Sequence, residues 1–218
     1  MTIETFIVTP FGQNARVIKC ERTGATAVID PGGDIELITN YLTEHHLVVE
    51  AVVLTHSHID HAGGVAELLT RLERSQPHRP RLYGHERERE MRATIEQQAL
   101  YFGLSPEEYR NAPEPEHYFV DNEMFELGEL QAKVLYTPGH SPGHIALYFE
   151  QPRPVVISGD CLFAGSIGRT DLPGGDFDTL LTSIQEKLLT LPENTEVMSG
   201  HGPNTTIGLE KRTNPFLR

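Results

Sequence analysis

Four side chains able to bind a metal fall within six positions of this chain, in His56-Ser57-His58-Ile59-Asp60-His61. In an extended segment, residues i and i+2 project to one side, so His56, His58 and Asp60 share a face. A tight turn at Gly63-Gly64 then swings His61 beside them. Imidazole and carboxylate together suit Zn2+, Fe2+ or Mn2+. Four donors in so short a stretch exceed what one ion takes comfortably, and they invite two. Three more donors stand at the ends of apolar runs: His140 in Thr-Pro-Gly-His, Asp160 in Ile-Ser-Gly-Asp and His201 in Ser-Gly-His-Gly. Each has a glycine beside it where the backbone must bend sharply. The chemistry of such a set is metal-assisted activation of water.

The elements that must carry these donors follow from periodicity. Strands are predicted over Glu4 to Val8, Arg16 to Cys20 and Ala25 to Ile29, the last closed by the turn Asp30-Pro31-Gly32-Gly33. Ile35, Ile38 and Leu42 fall at helical spacing behind Asp34 as a cap. The Val-rich run Leu47 to Leu54 reads as a buried strand delivering the histidine loop, and Val65, Leu68, Leu69 and Leu72 mark the helix that follows. Arg81 to Tyr83 is a short strand and His85 to Tyr101 one polar helix. Gly103 to Pro115 reads as an exposed connection or lid. In the second half, strands are expected over Ala132 to Tyr136, Ile145 to Phe149, Val155 to Ile157 and Glu196 to Met198, with an amphipathic helix over Phe177 to Leu191. A histidine loop follows a strand in each half, so two ββα-like halves packed as an α/β layered sandwich are expected.

Composition narrows the function classes. With 18 Lys and Arg against 31 Asp and Glu, the net charge of −13 argues against a nucleic-acid partner. Two cysteines, Cys20 and Cys161, are too few for a disulfide scaffold or a thiolate metal site, although the chain holds 11 His. No apolar run approaches the length of a membrane helix, and the start has no basic, apolar leader. The expectation is a cytoplasmic protein with no membrane partner.

The motif His56-x-His58-x-Asp60-His61, with His140, Asp160, His201 and the early turn Ile29-Asp30-Pro31-Gly32, resembles the metallo-β-lactamase fold superfamily across nearly the whole chain. The segment GDCLFAGSIGRTDLPGGD, residues 159–176, further resembles the short glyoxalase II-like hydroxyacylglutathione hydrolases of bacteria. The resemblance implies an α/β fold of four αββα layers, formed by residues 1–218 as one domain without the C-terminal helical glutathione-binding domain of longer glyoxalase II enzymes.

It also implies two divalent metal ions, zinc first, with iron or manganese compatible. One would sit on His56, His58 and His140 and the other on Asp60, His61 and His201, with Asp160 bridging. Asp30 would orient a histidine ligand through its other ring nitrogen. The implied reaction is hydrolysis of an S-(2-hydroxyacyl)glutathione such as S-lactoylglutathione by a metal-bridging hydroxide, a step in methylglyoxal detoxification, with Asp60 and Asp160 as the catalytic carboxylates. Arg169 is the candidate contact for the glutathione carboxylates, against a simple ion pair with Asp171 or Asp176. His144 reads as a supporting residue rather than a ligand, and Cys161 as a buried small side chain. The competing readings are an iron-dependent persulfide dioxygenase, similar in fold, and a lactone hydrolase.

Overall fold

The β-branched residues at the start form an antiparallel meander of β1 (Thr2–Val8), β2 (Gln13–Lys19) and β3 (Thr26–Ile29) in the computed structural model, which describes residues 1–218. The chain divides into two compact units, residues 1–118 with 127–129 and residues 119–126 with 130–218.

In the first unit, β3 is followed by α1 (Ile35–Glu44), then β4 (Val49–Val53), the single turn α2 (Ile59–Ala62), α3 (Val65–Ser75) and β5 (Arg81–Gly84). The strands β3, β4, β5 and β6 (His117–Tyr118) pair in parallel, giving a six-stranded sheet of order β1-β2-β3-β4-β5-β6. Parallel neighbours need crossovers, and α1 and α3 supply two of them. Val65, Leu68, Leu69 and Leu72 of α3 are buried, as are Ile35, Ile38 and Leu42 of α1, and both stripes join Val28, Val52 and Leu82 in one core. Each such side chain contributes about 1.5–3 kcal/mol by leaving water. That core fixes β4, and with it the start of the histidine loop.

Three expectations change here. Asp34 precedes α1 but does not cap it: it sits at φ 48° and its Oδ2 accepts the amide of Thr9 instead, at 2.7 Å. The segment expected as one helix over His85 to Tyr101 is a 3-10 turn (Glu86–Glu88), α4 (Arg89–Arg92) and α5 (Ile95–Tyr101). A buried Arg92 guanidinium donates to the His85 carbonyl (3.0 Å) and to Glu114 (3.2 Å), tying the pieces across the breaks. The connection after it is exposed along much of its length, but Tyr109 and Ala112 pin it into the core.

The second unit holds a sheet of order β14-β13-β10-β9-β8-β7, from β7 (Met124–Leu127), β8 (Leu130–Tyr136), β9 (Ile145–Phe149), β10 (Val155–Gly159), β13 (Glu196–Ser199) and β14 (Thr205–Thr206). The two-stranded ribbon of β11 (Leu162–Phe163) and β12 (Ser166–Ile167) lies between β10 and α6 (Phe177–Ser183) in sequence. Asp176 caps α6 through the Thr179 amide at 2.7 Å, and a π-helical turn (Ile184–Leu188) extends it to near the expected end. Leu180, Ile184 and Leu188 join Ala146, Val156 and Val197 in this unit's core. Five elements of this unit went unanticipated, β7, β11, β12, β14 and α7 (Ile207–Thr213), all short. The buried Glu210 of α7 accepts the Gly165 amide (2.9 Å), so α7 fastens the β11–β12 turn. No helix of the chain is long and apolar enough to cross a membrane.

Candidate metal centre

In the first unit, β4 delivers the chain into Thr55, and His58 is still extended (φ −64°, ψ 154°) before α2 begins at Ile59. His56 and His61 are buried, while His58 and Asp60 are partly open. The rings of His56 and His61 lie 4.0 Å apart and those of His56 and His58 4.8 Å apart. His61 Nε2 is 3.9 Å from Asp60 Oδ2.

Asp30 organises this cluster. Just beyond β3 it adopts φ 49°, and its buried carboxylate accepts the Thr55 amide (2.7 Å), the Thr55 hydroxyl (2.6 Å) and His61 Nδ1 (3.0 Å). The carboxylate is an acceptor, so His61 carries its proton on Nδ1 and presents Nε2 as a lone pair. The Thr55 hydroxyl gives its only proton to Asp30 and therefore accepts from His56 Nδ1, 3.1 Å away. His56, too, presents Nε2. One carboxylate thus sets the tautomer of two histidines.

The loop is held by two further side chains: Glu88 Oε2 accepts the Ser57 amide at 2.8 Å, and Gln98 Oε1 accepts the Ile59 amide at 3.0 Å. The turn after β3 is pressed close as well. A Cβ on Gly32 would stand 1.5 Å from the carbonyl oxygen of Asp60, so only glycine lets the two segments meet.

The second unit builds its donors the same way. His140 Nδ1 donates to the backbone carbonyl of Arg169 at 2.8 Å, again freeing Nε2 as a donor to metal. Asp160 follows β10, and its amide donates to His144 Nε2 at 3.0 Å. His144 therefore holds its proton on Nδ1, which faces the Thr137 hydroxyl at 2.8 Å. With its Nε2 lone pair accepting from the Asp160 backbone, His144 supports the turn that carries the aspartate. Asp160 Oδ2 lies 3.6 Å from His140 Nε2 and 3.5 Å from His201 Nε2. Those spacings exceed a hydrogen bond and match ligand atoms each about 2 Å from a shared metal. A Cβ on Gly168 would stand 2.0 Å from the Asp160 carbonyl oxygen, so each unit presses a glycine against the backbone of its aspartate.

Arg169 differs from its sequence reading in emphasis. Its guanidinium forks onto Asp171, at 2.8 and 2.7 Å, and its carbonyl orients His140. Thr55, Thr137, Glu88 and Gln98 went unnoticed in the sequence. For Thr55 a signal existed, a hydroxyl directly before a candidate histidine ligand, but none marks the other three.

The donors suit a metal on chemical grounds. Three imidazoles have their Nε2 lone pairs fixed by acceptors at Nδ1, and they are accompanied by carboxylates and no thiolate, a set of borderline nitrogen and hard oxygen ligands. The model of the metallo-β-lactamase superfamily matches residues 8–201. The chain belongs to that superfamily. A relative in Haemophilus influenzae, hydroxyacylglutathione hydrolase GloC, is 39% identical over 219 residues, covering 100% of this chain and 98% of the relative. The crystal structure of BLEG-1, a B3 metallo-β-lactamase, is similar with TM-score 0.88 and 36% identity over 99% of both chains. That of TTHA1623 in a di-iron-bound form gives TM-score 0.87 and 36% identity over 98% of this chain and 100% of that one. The fold is the metallo-β-lactamase fold expected from the motif. The superfamily match and the full-length similarity to a hydrolase support a metal-dependent hydrolase.

Proposed function

We propose that this metallo-β-lactamase-superfamily hydrolase cleaves S-(2-hydroxyacyl)glutathione, with S-lactoylglutathione as the reference substrate, to glutathione and a 2-hydroxy acid. The observation that carries the reading is the similarity over full length to a hydroxyacylglutathione hydrolase. In this reading residues 1–218 act as one catalytic domain in the cytoplasm. His56, His58 and His140 would hold one divalent ion and Asp60, His61 and His201 a second, with Asp160 as the seventh ligand. Zinc is the first choice for both positions, and the donors accept iron equally.

When bound, such ions supply Lewis acidity and lower the pKa of a coordinated water toward neutrality. The residues of the chain have three tasks. Asp30, Thr55 and the Arg169 carbonyl occupy Nδ1 of His61, His56 and His140, so that Nε2 is the nitrogen left to bind an ion. Asp60, half-buried, and Asp160, buried, would serve as ligands and would accept a hydrogen bond from a coordinated water. Arg169 attracts the glutathione carboxylates to a chain whose net charge is −13. A departing thiolate has a pKa near the ordinary thiol value of about 8.5 and needs no protein acid.

The test is an assay of the purified chain for thiol release from S-lactoylglutathione, with metal analysis of the same sample. Thiol release with about two metals per chain supports the reading. Oxygen uptake on glutathione persulfide with a single iron and no thiol release would replace it with a dioxygenase. Faster opening of acyl-homoserine lactones would replace it with a lactone hydrolase.

A further inference from the structure

The segment from Glu86 to Tyr101 has no part in the reading above, yet it reaches the metal loop twice. Glu88, at the end of the 3-10 turn, is buried and takes the amide of Ser57; Gln98, on α5, takes the amide of Ile59. These amides alternate with the donors, since Ser57 lies between His56 and His58, and Ile59 between His58 and Asp60.

Neither amide has an obvious partner within the loop. Ser57 is fully buried, and a buried amide without an acceptor is destabilising because it has lost its bond to water. Ile59 opens α2, where the first amides of any helix lack an intrahelical acceptor, and the His58 side chain makes no capping bond. A four-residue helix is also far below the length at which helices persist unaided. The loop conformation is therefore imposed from outside.

The support is itself fixed. Gln98 Nε2 donates to the Met91 carbonyl at 3.0 Å, which settles the orientation of its amide and aims Oε1 at Ile59. The breaks between the 3-10 turn, α4 and α5 bring Glu88 and Gln98 to the same loop, although they lie ten residues apart.

We infer that Glu88 and Gln98 are positioning residues, holding the His56 to His61 loop in its metal-binding conformation through the Ser57 and Ile59 amides. The inference rests on the metal-centre reading above, and it adds two residues that touch neither metal nor substrate. Supporting residues of this kind typically change metal affinity 10–100-fold when removed.

The experiment loads wild type, Glu88→Ala, Glu88→Gln and Gln98→Ala with Zn2+ and measures retention against a chromophoric chelator. The visible spectrum of each Co2+-loaded protein and the melting temperature of each metal-free protein are recorded alongside. Both alanine variants are expected to hold Zn2+ about 10–100-fold more weakly and to shift the Co2+ spectrum. Glu88→Gln keeps an acceptor oxygen for Ser57 and is expected within about threefold of wild type. Metal-free Gln98→Ala is expected to melt close to wild type.

Alanine variants with unchanged Zn2+ affinity and spectrum would overturn the proposal. So would a Glu88→Gln protein as impaired as Glu88→Ala, because the loss would then follow charge and not the amide contact. If Glu88→Ala does not fold, Gln98→Ala and Glu88→Gln still decide. A wild type that fails to retain Zn2+ at all would overturn the metal-centre reading itself and this proposal with it, an outcome distinct from equal retention by every variant.

Discussion

Asp30 Oδ2 lies 3.0 Å from Nδ1 of His61, with both side chains buried, and the same carboxylate reaches His56 through the Thr55 hydroxyl. Removing it should disturb two histidines of the proposed metal site at once. Asp30→Ala is expected to weaken metal binding by at least 10–100-fold, measured by chelator competition. It also leaves the buried Thr55 amide without its acceptor, so urea unfolding of the metal-free protein should show a loss of about 1–3 kcal/mol. Retained metal affinity would mean that the histidines hold their tautomers without help.

Gly32 and Gly168 are each pressed against an aspartate carbonyl, where a Cβ would stand 1.5 and 2.0 Å from oxygen. Neither contact can be relieved by turning a side chain, because the atom met is backbone. Gly32→Ala and Gly168→Ala should therefore displace Asp60 and Asp160 and lower metal content and melting temperature together. Variants that melt like wild type and bind two metals would show that both loops yield at little cost.

The Arg169–Asp171 pair is exposed, at 58% and 68% of the side-chain surface, so it restrains the guanidinium only weakly. Arg169→Ala should raise KM for glutathione thioesters more than it lowers kcat. Asp171→Asn should release the guanidinium and lower KM, by no more than about fivefold. The Arg169 guanidinium holds the Asp171 carboxyl down at about 2. A depressed carboxyl keeps its pairing above the ordinary value of about 3.9 and loses it only as pH falls through about 2. Between pH 5 and 9 the pair should thus add no pH dependence to KM. An Arg169→Ala KM equal to wild type would remove this residue from the substrate site.

Cys161 follows Asp160 directly, which invites a nucleophilic role. Burial pushes its thiol far above the ordinary range, with the neighbouring Asp160 charge adding to the rise, so the thiolate is absent at any pH of interest. Cys161→Ala should keep kcat within a few-fold while both metals remain bound. A drop beyond tenfold in a fully metallated variant would place the thiol in the chemistry.

Much of this protein was legible from local pattern. The apolar stripe of α3 and the alternation within β8 produced their elements directly, because a 3.6 or 2.0 residue period needs no distant partner. The donors His56, His58, Asp60 and His61 stood out for the same reason, since they lie side by side in the chain. His140, Asp160 and His201 stood out beside glycines at the ends of apolar runs, and the resemblance assigned them to the same site. What only the tertiary structure decided were the contacts made by side chains on backbone groups far away in sequence. Asp34 looks like a cap but is claimed by Thr9, and the polar run from His85 to Tyr101 looks like one surface helix but breaks after Glu88 and after Arg92, with Gln98 reaching the metal loop from within α5. Such bonds depend on which buried amide lacks an acceptor once the chain has packed. A sequence records the identity of an acceptor such as Glu88, but the amide it must satisfy exists as a need only in the folded protein.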